Sequence, residues 1–425
     1  MVGGAEIGAY RVRVGESSGS VEILLLPLDR SDWTEALERV EGSSGLDVMC
    51  SGIFRFRAAA VFLGQEFDIS MKPHVIFISG REASYIRNRV LLVALGKFCD
   101  VTILTGTGPN IPFRTLTGLI RFMTYGQKYD ICWAGFYGQP LAILLSLIQR
   151  KPTILDAYVS TYDTLCEDRG LFHPRSLPGR LAYWLDQKSC QKASLVITDT
   201  QANAQYFAQE IGVPKEKLKI VYVGCDETLF YPRTDISSSS VYCEVFYYGS
   251  FLPLHGIEVI VQAAAMLKNR KDIHFTIGGY GPQFGKINEM IRRLELKNVS
   301  LAGWIPMEHL PVYIARASIC LGGHFSTVPK AARVISTKTF QFVAMRKPTI
   351  VGDNEANREL FVHKEHVYAV PMGDPVALAE AIGELADAPA LREHIAEGGY
   401  TLFQEKLTIK AIANRLWDLL NFMVV

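Results

Sequence analysis

From His74 onward the chain alternates short apolar runs, closed by a glycine or a polar turn, with longer segments of helical period, and it does so twice. HVIFISG, DVTILTG, YDICWAG, PTILDAY, SLVITDT and KIVYVG form the first series; VFYYGS, IHFTIGG, VSLAGW, ICLGG, PTIVGD and VYAVP form the second. An apolar run without polar alternation reads as a strand buried on both faces, as in a parallel sheet covered by helices. Segments such as RNRVLLVALGKF, PLAILLSLI, QANAQYFAQEIG, GIEVIVQAAAMLKN and FGKINEMIRRLEL supply those helices. The pattern predicts an α/β protein with two Rossmann-like, doubly wound parallel sheets facing each other across a cleft.

The Pro/Ser-rich stretch LFYPRTDISSSS separates the two series. The expected division is an N-terminal extension of unassigned role over 1–71, a first Rossmann-like domain over 72–234 and a second over 241–407. A final helix over 408–425 is expected to pack back on the first domain. In the extension, YRVRVG and VEILLLPL read as a short hairpin, and SDWTEALERVEG as a helix with Ser31 as its N-cap.

With 49% hydrophobic and 20% charged residues the composition is that of a folded protein, and a net charge of +1 argues against a general nucleic-acid binder. Any polyanion site must be local. The eight cysteines are scattered without C-x-x-C spacing, so buried free thiols in a reducing cytoplasm are expected, with no metal site. No uninterrupted apolar run reaches the ~18 residues a spanning helix requires, and the N-terminus lacks a signal-peptide layout. A cytoplasmic protein is expected.

The segment Leu321–Val351, LGGHFSTVPKAARVISTKTFQFVAMRKPTIV, places Lys330, Arg333 and Lys338 beside a Ser-Thr helix start at the end of an apolar strand. A helix N-terminus offers unpaired N–H groups and partial positive charge, and basic side chains beside it complete an anion site. Gly249 and Ser250 close the first strand of the second series, where a tight turn brings backbone N–H groups toward a phosphate, with His255 nearby. The spacing of Gly278, Gly279 and Gly281 does not fit a dinucleotide fingerprint, so no nicotinamide cofactor is expected. Trp304 reads either as a wall for a nucleoside base or as a buried aromatic.

In their order and spacing these stretches resemble glycosyltransferase family 4, retaining sugar-nucleotide transferases of the GT-B fold. The resemblance runs from His74 to the C-terminus through VYVGCDETLFYP, YYGSFLPLHGIEVIVQAA, FTIGGYGP, LAGWIPMEHLPVYIARASICL, TKTFQFVAMRKPTIV and GDPVALAEAIGELADAPALREHI. It departs from the family pattern at Arg333 and Gln341, which stand where two glutamates are expected, and at Phe251 and His255, which stand where arginine and lysine are usual. A subgroup with a Lys-x-x-Arg-Val-Ile-x-x-Lys loop shares the first departure. The resemblance implies a nucleotide-sugar donor held at its diphosphate by Gly249, Ser250, His255, Lys330, Arg333 and Lys338, with Gln341 accepting from ribose hydroxyls. It implies a glycan or lipid-linked acceptor, no metal, and no protein nucleophile: the leaving diphosphate itself takes the acceptor proton.

Candidates near the transferring sugar lie in the first domain. Arg81 and Glu82 follow its first strand and read as a ligand and a hydroxyl-facing group, or as a surface ion pair. Asp156, closing PTILD, reads as an orienting carboxylate or as a turn residue. The polar run Tyr162-Asp163 through Asp168-Arg169 is expected to shape the acceptor pocket. IPFRTLTGLIRFMTYGQKY sets Arg114, Arg121 and Lys128 among Phe113, Leu116, Ile120 and Phe122; it reads as a peripheral contact to an anionic membrane or, more plainly, as a sheet-covering helix with solvated charges. Two alternatives to transfer are a sugar-nucleotide epimerase of the same fold and a non-catalytic binder of nucleotide sugar or partner.

Overall fold

The computed structural model describes residues 72–236 and 242–421, together with the backbone of 9–11 and 26–28. The chain forms two compact units, Met1–Ser70 and Met71–Val425. In the first, β1 (Ala9–Arg11) pairs antiparallel with β2 (Leu26–Leu28), the pairing that the hairpin reading predicts. The helix expected from Ser31 lies outside the described residues.

The second unit holds two six-stranded sheets. One comprises β3 (His74–Ile78), β4 (Asp100–Ile103), β5 (Ile131–Ala134), β6 (Thr153–Asp156), β7 (Leu195–Thr198) and β8 (Leu218–Ile220) in the order β4-β3-β5-β6-β7-β8. The other comprises β9 (Cys243–Tyr248), β10 (Ile273–Gly278), β11 (Val299–Gly303), β12 (Ile319–Gly323), β13 (Thr349–Gly352) and β14 (Tyr368–Val370) in the order β11-β10-β9-β12-β13-β14. Every strand pair in both sheets is parallel. The uniformly apolar runs of β5, β12 and β13 are wholly buried, whereas the edge strands β4 and β11 are partly exposed and carry Asp100, Thr102 and Ser300. Burial on both faces is what removed alternation from the central strands.

In the second sheet the chain steps outward from β9 to β11 and then returns to place β12 on the other side of β9. That reversal opens a crevice at the carboxyl ends of β9 and β12, the usual ligand position on such sheets. The helix Ile409–Asn421 buries Ile409, Ile412, Leu416 and Leu420 in the core of the first sheet, with Val75, Phe77, Trp133 and Ile197. A second apolar cluster crosses between the two domains, joining Ala202, Val223, Cys225 and Phe230 to Phe340, Phe342, Leu402 and Phe403.

One long helix has no counterpart in the sequence pattern. Pro389–Lys406 is helical over 18 residues although it contains Gly398 and Gly399, which weaken helices. Both glycines permit close approach: a Cβ at Gly398 would lie 2.1 Å from the Glu365 carbonyl oxygen, and one at Gly399 would lie 2.7 Å from that of His366. The described cysteines are all free, and burial pushes the thiols of Cys99, Cys132 and Cys320 up to about 12.

Candidate active site

The crevice between β9 and β12 gathers polar groups that the rest of the protein leaves unmatched. β9 ends at Tyr247 and Tyr248, and the chain then turns through Gly249 and the short helical turn Pro253–His255 to Gly256, at φ 68°. A Cβ at Gly256 would lie 2.4 Å from the Ser326 nitrogen, so only glycine passes this close beneath the loop that follows β12. That approach stacks His255 on His324 with ring centroids 5.2 Å apart. A Cβ at Gly249 would sit 3.0 Å from Tyr247 Oη and 3.2 Å from His255 Nδ1, so this glycine leaves both groups open to the crevice. Among the described residues, Tyr247 Oη, His255 Nδ1, His324 Nδ1 and Thr339 Oγ1 are buried without a hydrogen-bond partner. Buried polar atoms are rarely left so, because each forfeits its solvation.

Lys338 belongs to this cluster. It lies in the first turn of the helix Thr337–Ala344; its Nζ donates to Ser336 Oγ at 2.7 Å and stands 5.1 Å from the Tyr247 ring centroid. Burial lowers the Lys338 ammonium to about 7. Burial, reinforced by the Lys338 charge, holds His255 down at about 3, and burial with the neighbouring His255, Lys338 and Lys330 keeps His324 well below its ordinary value. A site of this kind is short of negative charge: an entering dianion would raise all three groups and offer acceptors to their N–H donors.

Lys330 and Arg333, expected beside Lys338 on the diphosphate, are engaged elsewhere. Lys330 Nζ donates to Thr164 Oγ1 at 2.8 Å, and Arg333 donates to Asp163 at 2.8 Å, both across the cleft to the first domain. Arg333 also lies 4.0 Å from the Tyr206 ring centroid, and its backbone carbonyl accepts from Thr200 Oγ1 at 2.6 Å. The carboxylates that claim these cations are far away in sequence, so their pairing was not legible there. Gln341 is buried, and its side-chain oxygen, expected on ribose, accepts from the Tyr248 hydroxyl. Phe251 is buried against Phe284 as core. Ser250 is exposed at the rim.

In the first domain the expected roles shift as well. Asp156 does not face the cleft: it is paired with Arg87 at 2.9 Å, with both side chains 0% exposed, and Arg87 continues to the carbonyls of Val221 and Tyr222. A buried arginine needs that carboxylate, so Asp156 fastens β6 to the helix Ile86–Leu95. Arg81 and Glu82 form the ion pair of the plainer reading, at 3.1 Å, and Glu82 also takes Arg114 at 2.6 Å. In the helix Ile111–Thr124, Arg114 turns to the Gly108 carbonyl and Glu82, and Arg121 donates to the Thr105 carbonyl while remaining exposed beside Phe113, Leu116, Ile120 and Met123. Its outward face therefore carries four exposed apolar side chains with Arg121 among them. Among the described residues no helix is long and apolar enough to cross a membrane.

Sequence reasoning missed Tyr247 and His324. A histidine directly after the paired glycines that end an apolar strand was the available signal for His324; Tyr247 carried none, since an aromatic inside a strand reads as core.

Residues 243–388 match the model of the family described as glycosyl transferases group 1. The chain is 23% identical over 290 residues to an alpha-D-kanosaminyltransferase of Streptomyces kanamyceticus, covering 64% of this chain and 71% of that one. It is 24% identical over 190 residues to a lipopolysaccharide core biosynthesis glycosyltransferase of Rhizobium meliloti (strain 1021), covering 44% and 52%, so it spans only about half of that relative. In structure it is similar to the Anabaena protein HepE solved in complex with UDP (TM-score 0.62, 16% identity, 82% of this chain and 100% of that one). It is likewise similar to the sucrose-phosphate synthase of Thermosynechococcus elongatus (TM-score 0.66, 16% identity, 83% and 99%). Two facing parallel sheets with these neighbours define the GT-B fold, and the chain is by class a glycosyltransferase. Its second domain carries the group 1 match.

Proposed function

We propose that the chain transfers a sugar from a nucleotide-sugar donor to a glycan or lipid-linked acceptor, with retention at the anomeric carbon, as a member of family 4. The observation that carries this reading is the buried cluster of Lys338, His255, His324 and Tyr247 gathered where the second sheet reverses, in which Tyr247 Oη, His255 Nδ1 and His324 Nδ1 have no hydrogen-bond partner. The complexes of HepE with UDP and with UDP-glucose support the choice of donor class. Lys338 and the two imidazoles would meet the diphosphate, with the first N–H groups of the helix Thr337–Ala344 behind them. Trp304 and Tyr280, 75% and 63% exposed after β11 and β10, offer faces on which a base can stack.

In such a site catalysis is positioning and charge stabilisation. As the sugar–phosphate bond breaks, negative charge grows on the leaving diphosphate, and preorganised donors in a dry crevice stabilise it more than water would. The leaving oxygen is then basic enough to take the acceptor proton on the face it has just left, which gives retention without a protein nucleophile. The neutral carboxylate–arginine pair of Asp156 and Arg87 holds the opposing wall in place.

The test is a panel of nucleotide sugars incubated with and without candidate acceptors, following nucleotide release and the anomeric configuration of the product. Acceptor-dependent release with retained configuration is the expected result. Inversion removes the retaining assignment; donor interconversion without release makes the protein an epimerase; donor binding with neither makes it a non-catalytic binder.

A further inference from the structure

The loop after β12 meets the loop after β6 across the cleft, and the contact is ionic. Asp163–Asp168 forms a single π-helical turn bearing three carboxylates, and the turn Pro329–Ala332 with Arg333 brings two cations against it. Besides its bond to Thr164, Lys330 Nζ lies 3.4 Å from Asp163 and 3.6 Å from Asp168; Arg333 lies 2.8 Å from Asp163 and 3.8 Å from Glu167. The Lys330 and Asp163 side chains are 8% and 5% exposed, so water screens this contact little. Three carboxylates of the turn face these two cations, with Arg169 also attracting Asp168 and Glu210 repelling Glu167, and burial pushes the Glu167 and Asp168 carboxyls up. A phosphate cannot reach Lys330 while these carboxylates face it, because like charges repel strongly in a poorly solvated cleft. The turn Pro329–Ala332 nevertheless packs against the turn Pro253–His255, which puts Lys330 at the edge of the donor cluster.

We propose that the acidic turn Asp163–Asp168 is a clasp displaced by the donor: its carboxylates hold Lys330 and Arg333 in the free protein, and the donor diphosphate takes Lys330 from them on binding. The inference rests on the nucleotide-sugar reading of the site. The exchange is local, because the two domains are joined by other contacts. The Glu359 carboxylate accepts from the backbone N–H groups of Gln201 and Ala202, at 2.9 and 3.3 Å, the Thr200 hydroxyl holds the Arg333 carbonyl, and the apolar cluster crosses the same junction. Arg333 keeps its place over Tyr206 when Asp163 leaves. The turn is followed by Gly170 at φ 59°, where an added Cβ would meet nothing within 4 Å, so its downstream link has room to move. Since the clasp must open for the donor to gain Lys330, apparent donor affinity is reduced by the fraction of molecules in which it is shut.

Asp163→Asn and Asp168→Asn, combined, keep the side-chain shape and remove two charges from the clasp. Calorimetric titration with UDP and with inorganic pyrophosphate is expected to show binding to this variant about tenfold tighter than to the wild type, with the gain lost when Lys330→Met is added. Thr164→Val, which removes only a neutral anchor of Lys330, is expected to tighten binding less and serves if the double variant does not fold. Unchanged or weaker binding by the charge-removed variants, with UDP still bound by the wild type, overturns the clasp and leaves the Lys338 site standing. Failure of UDP and pyrophosphate to bind the wild type and the variants alike overturns both.

Discussion

The cations of the Leu321–Val351 segment read alike in sequence and differ in what surrounds them. Lys338 has a hydroxyl and an aromatic face for neighbours, whereas Lys330 and Arg333 have carboxylates. Lys338→Ala should therefore weaken binding of a nucleoside diphosphate by about 1–3 kcal/mol, the cost of removing a hydrogen bond to a charged group; calorimetry showing no change would remove Lys338 from the site. The pH dependence follows from its lowered value of about 7. A bound dianion favours the charged ammonium, so the complex holds the proton more tightly than the free site, and affinity should fall as pH rises through about 7. Lys338→Arg should flatten that profile, because a guanidinium stays charged. For Asp156 the buried pairing predicts a stability effect: Arg87→Met leaves its charge uncompensated and should cost about 3–5 kcal/mol in urea unfolding. Loss of activity at full stability in Asp156→Asn would instead return Asp156 to the substrate.

Among elements, the strands were the legible part. Each apolar run of the two series contributed a buried or edge strand, KIVYVG through its first two residues alone, because burial on both faces acts directly on residue choice. The helix Pro389–Lys406 was not legible: its glycines answer to the 363–367 loop beneath it, a neighbour that local periodicity does not register. The helix Ile111–Thr124 was legible as an element but not in orientation, since partners for its arginines come from Glu82, Thr105 and Gly108. At the N-terminus of the helix Gln201–Gln209, the cap supplied by Glu359 makes a pH prediction. Burial raises the Glu359 carboxyl to about 7 from its ordinary 4.5, so the folded protein binds that proton more tightly than the unfolded chain. Its contribution is fully present below the ordinary value and is lost as pH rises to about 7. Thermal melts of the wild type and Glu359→Gln should therefore differ in slope across that window, the wild type losing more on going up; parallel curves would place the titration elsewhere.

At the scale of the molecule, the last helix binds the two halves of the chain into one unit. Ile409, Ile412, Leu416 and Leu420 complete the core of the first sheet after the chain has built the second. Leu416→Ala should cost about 2–5 kcal/mol, as for a fully buried leucine. Removal of 408–425 should raise hydrogen exchange in β3, β5 and β7 while leaving β9, β10 and β12 protected; equal loss in both sheets would mean that the helix stabilises the junction rather than the first core.

By itself the sequence determined the α/β class and the two series of parallel strands, because hydrophobic period and glycine-closed strand ends act locally on the residues that carry them. Only the tertiary structure decided which cation is unmatched, which carboxylate is structural, and that His255 lies on His324. Those outcomes depend on charges and rings brought together from positions such as 163 and 333. A basic side chain reads the same in sequence whether its counter-ion will be a ligand or its own protein; burial and distance decide, and both are properties of the folded chain.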